Sequence, residues 1–355
     1  MSTSLHTNQM TFPGLDGQAE RVTTSLRSTR TVRVGGRTYE PSAVFDTYWR
    51  FAAKRHQIYE SRLAGVQGPW TSDPILRSHR FTNCFRAADR VSQYLINDVI
   101  YSGPQNTDDI VFRVLLFKMF NKISTWELLQ ETFGELTADG FSAELYSSAL
   151  DTAFARKQTL YSAAYVIPPP AFGAVRKHAN HMRLLERMME SGLPEMLVQA
   201  QSMEDAYFLL RSYPAMGDFL SFQFLIDLNY TPVLPFDEMD YVVAGPGARD
   251  GIRKCFGPGS AGHETELIEY MAASQDEHFD RLGLTFGGLF GRPLQLIDCQ
   301  NLFCEVDKYS RVAHPEVDGL SGRTRIKQRF TASAGAVLAQ FPPKWGLALH
   351  GRGVA

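Results

Sequence analysis

Two acidic stretches in this chain carry the residue types that reaction centres use. The first is "PFDEMDYVV", where Asp237, Glu238 and Asp240 stand immediately before an apolar run. A carboxylate fixed at the edge of a dry cleft stabilises positive charge developing on a neighbouring carbon, and it orients or deprotonates water. Asp240 is the favoured member: it opens the apolar run and can project into a cleft while its neighbours stay solvated. Capping a turn is the competing role for the same residue. The second stretch is "LIDCQNLFCEVDKYSR", with Asp298, Gln300, Asn301, Glu305, Asp307 and Lys308. On a helix, Asp298, Asn301 and Glu305 share one face at spacings of three and four, and Lys308 continues it. Such a face hydrogen-bonds the edge of a base, supplies a second acid in Asp298 or Glu305, or is simply solvated.

Anion-binding features accompany the acids. Between two apolar segments lies "YPAMG", residues 213–217, a tight turn with Pro214, Met216 and Gly217. Backbone N–H groups of such a turn, together with the start of the following helix, grip a phosphate without basic side chains. Plain chain reversal is the alternative. Gly245 and Gly247 in "AGPGARDGIRKCFGPG" offer a second glycine-rich backbone contact, with Arg249, Arg253 and Lys254 beside it. Towards the C-terminus, Arg311, Arg323, Arg325, Lys327 and Arg329 cluster against only Glu316 and Asp318, a composition suited to DNA backbone phosphates or to a solvated tail. Metal is not expected, since His178 and His181 form the only close histidine pair. No cofactor is implied. No G-x-x-x-x-G-K-[ST] phosphate loop occurs in the chain.

These residues must be positioned by a fold, and the fold reads as mainly α. The 355 residues are 44% hydrophobic and 12% aromatic, enough for a sizeable core, and the net charge of −2 gives no global pull towards nucleic acid or anionic membrane. Helical spacing recurs from Ser42 onward, as in "SAVFDTYWRFAAKRHQIYESRLAG", "NCFRAADRVSQYLINDVIY", "DDIVFRVLLFKMFNKISTWELLQETFG" and "RKHANHMRLLERMMESGLPEML". Strand signals are scarce. The organisation read from this is a flexible basic arm over residues 1–38, a helical body over 39–340 and a tail over 341–355. Without an apolar run long enough to span a bilayer or a leader-like start, the expectation is an intracellular protein, cytoplasmic, or nuclear in a eukaryote, with no membrane partner. Cys84, Cys255, Cys299 and Cys304 contain no C-x-x-C pair and are expected as buried reduced thiols.

The order of apolar helix, Pro-x-x-Gly hairpin, apolar helix, short loop and aspartate resembles the core of the helix-hairpin-helix DNA glycosylases. The segments "FDTYWRFAAKRHQIYESR", "PWTSDPIL", "HRFTNCFRAADRVSQYLI", "RVLLFKMFNKISTWELL", "AGPGARDGIRKCF", "IDCQNLFCEVDKYSR" and "GRTRIKQ" resemble the α-glutamyl/putrescinyl thymine pyrophosphorylase group, over about residues 45–328. That group shares its helical domain with phage 5-hydroxymethyluracil DNA kinases. The resemblance implies two helical lobes with a DNA-binding cleft, and DNA as the partner with no obligate protein partner. It also implies action on a 5-modified pyrimidine. The expected reaction is excision of a hydroxymethylated or glucosylated base, leaving an abasic site, in defence against phage. Replacement of pyrophosphate on an activated 5-hydroxymethyl pyrimidine by an amine or amino acid is the alternative, and non-catalytic binding of modified DNA a third. In glycosylases of this kind the catalytic acid follows the hairpin by roughly two dozen residues, which implies Asp240, with Glu238 beside it. Phe219 stands where bifunctional relatives carry a lysine, so no lyase step is expected. Trp70, in the loop "GPWTSDP", would stack on a flipped base, with Asn83, Arg86, Gln300, Asn301 and Lys308 completing its pocket.

Overall fold

The computed structural model describes residues 31–164, 166–332, 337 and 339–347. Fourteen α-helices follow a single β-hairpin among these residues. They are α1 (Ala43–Leu63), α2 (Pro74–Ser78), α3 (Arg90–Tyr94), α4 (Thr107–Phe120), α5 (Ile123–Phe133), α6 (Ala143–Ala155) and α7 (Lys177–Glu190), then α8 (Leu193–Gln199), α9 (Met203–Arg211), α10 (Asp218–Asn229), α11 (Pro246–Phe256), α12 (Glu264–Ala273), α13 (Gln275–Arg281) and α14 (Leu296–Ala313). None is long and apolar enough to cross a membrane.

The mainly α expectation holds, with local corrections. Most of the basic arm, residues 1–30, lies outside the described residues. Its last part is a hairpin instead: β1 (Val32–Val34) pairs antiparallel with β2 (Arg37–Tyr39), Val32 opposite Tyr39. Gly35 and Gly36 both take positive φ, as a two-residue hairpin turn on right-twisted strands demands. Val32 and Tyr39 are buried, and Tyr39 meets the edge of Phe256 at 5.6 Å. The long helix read across "DDIVFRVLLFKMFNKISTWELLQETFG" breaks into α4 and α5 because Asn121 adopts the left-handed conformation that its short amide side chain tolerates. Gly192, also left-handed, separates α7 from α8. The segment 83–100 is a short 3₁₀ turn, α3 and a π-helical turn rather than one helix.

Two helices differ from the rest in being buried on every side. In α4 every residue from Asp109 to Phe120 is buried, and in α10 every residue from Leu220 to Asn229. A helix buried all round belongs at the centre, and these two pack on each other. Around them gather α3 and α5–α9; a second group, α1, α11, α12 and α14, packs together, and one continuous core joins both. Ser42 starts α1 by accepting the Val44 N–H at 3.1 Å, and Asn106 does the same for α4 through the Asp109 N–H at 2.9 Å.

The contact between α11 and α14 is made backbone to backbone. A Cβ added at Gly251 would sit 2.1 Å from the Phe303 carbonyl oxygen, and one at Gly247 3.0 Å from Cys304 Sγ. Gly251→Ala should therefore force the helices apart and cost about 3 kcal/mol or more, lowering Tm by at least about 5 °C in a thermal melt. Gly259→Ala, where a Cβ meets nothing within 4 Å, should leave Tm within about 1 °C.

Candidate functional site: a buried acid pair and a basic strip

The site grows from charges embedded in the two central helices. Asp227 of α10 is 1% exposed, with one carboxylate oxygen 2.5 Å from Arg86 Nη1 and the other 2.5 Å from Lys118 Nζ of α4. Burial works against the Asp227 carboxylate, but the two cations hold its pKa below the ordinary value. Lys118 is drawn down to about 8 by burial, with Asp227 opposing the fall. Arg86 also donates to Gln223 Oε1 at 3.3 Å and to the Tyr230 hydroxyl at 3.2 Å, and its guanidinium lies over the Tyr230 ring. Its backbone N–H donates to Asp298 Oδ1 at 2.8 Å, so one residue ties α10 to the start of α14.

Two acids meet beside this residue. Asp298, 4% exposed, closes a capping box: its Oδ2 accepts the Gln295 N–H while the Gln295 side chain accepts the Asp298 N–H. Burial, then the charge of Glu238, pushes Asp298 up to about 7. Glu238, 2% exposed in the loop after α10, is raised by burial, opposed by Arg292, which donates to its Oε2 at 2.9 Å. Glu238 Oε1 is buried without a hydrogen-bond partner among the described residues. The Arg292 guanidinium in turn lies 4.4 Å from the centre of the Trp345 ring. Lys344 donates to Asn229 Oδ1 at 3.2 Å and to the Leu234 carbonyl at 2.6 Å, and burial lowers it to about 8.

The structure redistributes the roles expected from sequence. Asp240 is exposed and accepts the Asp237 N–H at 3.2 Å, so it caps a turn; the acid turned into the interior is Glu238. The polar face of α14 does form, but residues 82–86 cross it: Thr82 N–H donates to Glu305 at 2.9 Å where Arg86 N–H donates to Asp298. Lys308 pairs with Glu305 at 2.8 Å and covers the Phe81 ring, Asn301 is half-buried, and Gln300 is buried with its amide on Cys304 Sγ. Asn83 braces the turn before α3, accepting nothing from outside it: its amide donates to Ala88 O and its N–H to Asp89. Trp70 folds back on its own loop, its indole N–H on Val66 O at 2.6 Å and Arg62 over its ring. Of the pocket residues named from sequence, Arg86 alone joins the acid pair.

The glycine motifs are likewise redirected. Gly245 caps α11 where a Cβ would strike the Phe219 ring at 2.6 Å, and Gly247 packs on α14, so both serve close packing. In the turn 213–217, Pro214 and Gly217 are exposed and Gly217 starts α10, while Met216 is a buried anchor. Ala215 takes the left-handed conformation. Asp218, paired with Arg211 at 2.6 Å, places a negative charge at the mouth of this turn. His178 contacts Asp151 and His181 lies between Tyr161 and Pro168 O, and all four cysteines are free thiols, three of them buried.

The basic residues form a surface strip. Residue 80 N–H donates to Gln328 O and Phe330 N–H to Ser78 O, an antiparallel bridge that lines exposed Arg77 and Arg80 alongside exposed Arg323, Arg325, Lys327 and Arg329. Asp250 anchors the approach to the strip through the Leu320 and Ser321 N–H groups. From this bridge, residues 81–86 lead directly to the acid pair.

Sequence reasoning passed over Asp227, Lys118, Gln223, Tyr230, Arg292, Lys344 and Trp345. A usable signal existed for the first two, since each is a charge flanked on both sides by apolar residues in its helix. The acid pair makes stability depend on pH. Between the ordinary aspartate value of 3.8 and about 7 the folded chain retains a proton on Asp298 that the unfolded chain has released, so stability falls as pH rises through that window. In urea unfolding, Asp298→Asn should gain stability relative to the parent chain from about pH 4 to pH 7 and then level off; a constant difference would show that Asp298 does not titrate there.

Comparison with known proteins places the architecture. Over 287 residues the chain is 24% identical to a 5-hmdU DNA kinase of Bacillus phage SP10, a match covering 75% of this chain and 45% of that relative. The chain thus spans less than half the length of the curated relative it matches. No solved structure matches it. The family model described as the helical domain of 5-hmdU DNA kinase matches residues 42–319, which include α1–α14, Arg86, Glu238 and Asp298. The chain belongs to the family of this helical domain.

Proposed function

We propose that this chain acts on a 5-hydroxymethylated pyrimidine, or its glucosylated form, in DNA, and that it hydrolyses the N-glycosidic bond at Glu238. The observation that carries this reading is the Glu238 carboxyl group: desolvated, held by Arg292, with one oxygen lacking a partner among the described residues and a second buried acid, Asp298, whose pKa its charge helps to raise. Two such acids share a proton, and their environments keep it available near neutral pH. The ionised member stabilises the cationic sugar and orients water. The protonated member, with Arg292, offsets the negative charge on the departing pyrimidine. The C1′–N1 bond breaks, the water oxygen bonds to C1′, and its proton ends on the base, leaving an abasic site damaging to a phage genome built from modified bases. The strip of Arg323, Arg325, Lys327 and their neighbours supplies sequence-independent hold on the phosphate backbone.

A second reading is favoured by the matched relative, a kinase by name. In it, the chain binds the modified pyrimidine and leaves the glycosidic bond intact. The chain itself carries no G-x-x-x-x-G-K-[ST] loop, so phosphoryl transfer has no such cradle here.

Duplexes containing thymine, 5-hydroxymethyluracil, 5-hydroxymethylcytosine or its glucosylated form distinguish the readings. Free base detected by mass spectrometry, with alkali-sensitive breaks in the strand, marks the hydrolase. Glu238→Gln should then slow release about 100-fold or more while Asp240→Asn stays within about threefold. Preferential binding of a modified duplex with no base released would overturn hydrolysis and leave the second reading. Replacing Arg323, Arg325 and Lys327 together by Gln should lower the slope of log affinity against log salt by about 2 to 3, equally for modified and unmodified duplexes.

A further inference from the structure

The segment 340–347 belongs to neither group of helices, yet it packs against the residues that hold the acid pair. Gln93 clasps it at one end: its amide donates to the Gln340 carbonyl at 2.7 Å and its carbonyl accepts the Gln340 N–H at 2.9 Å. Phe341 is buried and stacks on Trp345 at 6.0 Å with ring planes 17° apart. Trp345 meets the edge of Tyr230 at 5.7 Å, and Arg292 lies over its face at 4.4 Å. These two neighbours are groups of the site: Tyr230 bonds Arg86, and Arg292 bonds Glu238. The indole is therefore a flat aromatic ring bounded by the Phe341 face, the Tyr230 ring and the guanidinium that also holds Glu238.

We propose that the space held by the Trp345 indole is the pocket for the flipped pyrimidine and that residues 340–347 are an intramolecular plug that a modified nucleotide displaces. This rests on the reading that the acid pair is the base-accepting site. A pyrimidine in place of the indole meets the two groups that stay behind when the segment leaves, the Tyr230 ring and the Arg292 cation. It adds polar edges able to bond the unpartnered oxygen of Glu238. Displacement breaks a small set of contacts, the two Gln93 bonds, the two Lys344 bonds and the ring contacts of Phe341 with Phe290 and of Trp345 with Tyr230 and Arg292, and the plug lowers apparent affinity by the fraction of chains in which it is seated.

Hydrogen exchange and duplex binding with the full chain test this. The probes are duplexes with one 5-hydroxymethyluracil and with thymine in its place. Gln93→Ala loosens the clasp without touching the indole's surroundings, and Trp345→Ala empties the pocket. Unaltered circular dichroism is required of both. If the segment is a plug, amide protection over residues 340–347 falls when the modified duplex binds, and both variants bind that duplex about threefold to tenfold more tightly than the parent chain. If it is a fixed wall, protection holds or rises on binding and Trp345→Ala weakens binding, which overturns the proposal while leaving the acid pair as the site. Absence of any preference for the modified duplex in the parent chain and in both variants would overturn the underlying reading and this one with it. A preference that appears only in the variants supports the plug.

Discussion

Three charges placed out of reach of water organise this protein. Desolvating a carboxylate, an ammonium and a guanidinium costs several kcal/mol each, and only close mutual pairing makes the arrangement tolerable. Asp227 meets that condition by engaging Lys118 with one oxygen and Arg86 with the other. The two helices that carry Asp227 and Lys118 are buried on every side, so the ion contacts fix the register in which α4 and α10 cross. Nonspecific apolar packing would accept several registers; a buried charge accepts one.

Arg86 extends that constraint into the second group of helices. Its side chain is committed to α10 and its backbone to the first turn of α14, so Asp298 is located relative to Asp227 by a single residue. Glu238, in the loop that leaves α10, then falls beside Asp298. The acid pair is thus a product of the central ion contacts, and burial raises both of its pKa values. The family match spans this whole frame, whereas it gives no role to any one side chain.

Much of the frame was legible in the sequence. The mainly apolar helices, the turn at residues 213–217 and the polar face on α14 follow from spacing, because helical periodicity is a local property. The two-glycine hairpin around Gly35-Gly36 lies within the stretch whose basic composition suggests a flexible arm, and its two short strands are too brief for a strand pattern to stand out. What spacing does not reveal is which of several neighbouring acids turns inward. Asp237, Glu238 and Asp240 differ by rotations within one short loop, and Arg292, distant in sequence, decides the outcome by receiving Glu238. Glycines mislead in a related way: Gly245 and Gly247 look like a phosphate-binding loop, and only the positions of Phe219 and of α14 show that they permit close packing. The placement of Trp345 on Tyr230 and Arg292 depends on chain return from far along the sequence, which no local pattern encodes.

The backbone contact between α11 and α14 has a consequence for where this architecture accepts substitution. With Gly251 against a carbonyl group and Gly247 against Cys304, the two helices leave no room for a side chain at those points of their seam, while the loops carrying Glu238 and Arg292 and the segment bearing Trp345 are held by a few polar bonds and ring contacts. A side-chain change in these three elements therefore meets less steric resistance than one at Gly247 or Gly251, so the surroundings of the acid pair can be altered without repacking the helices that hold them.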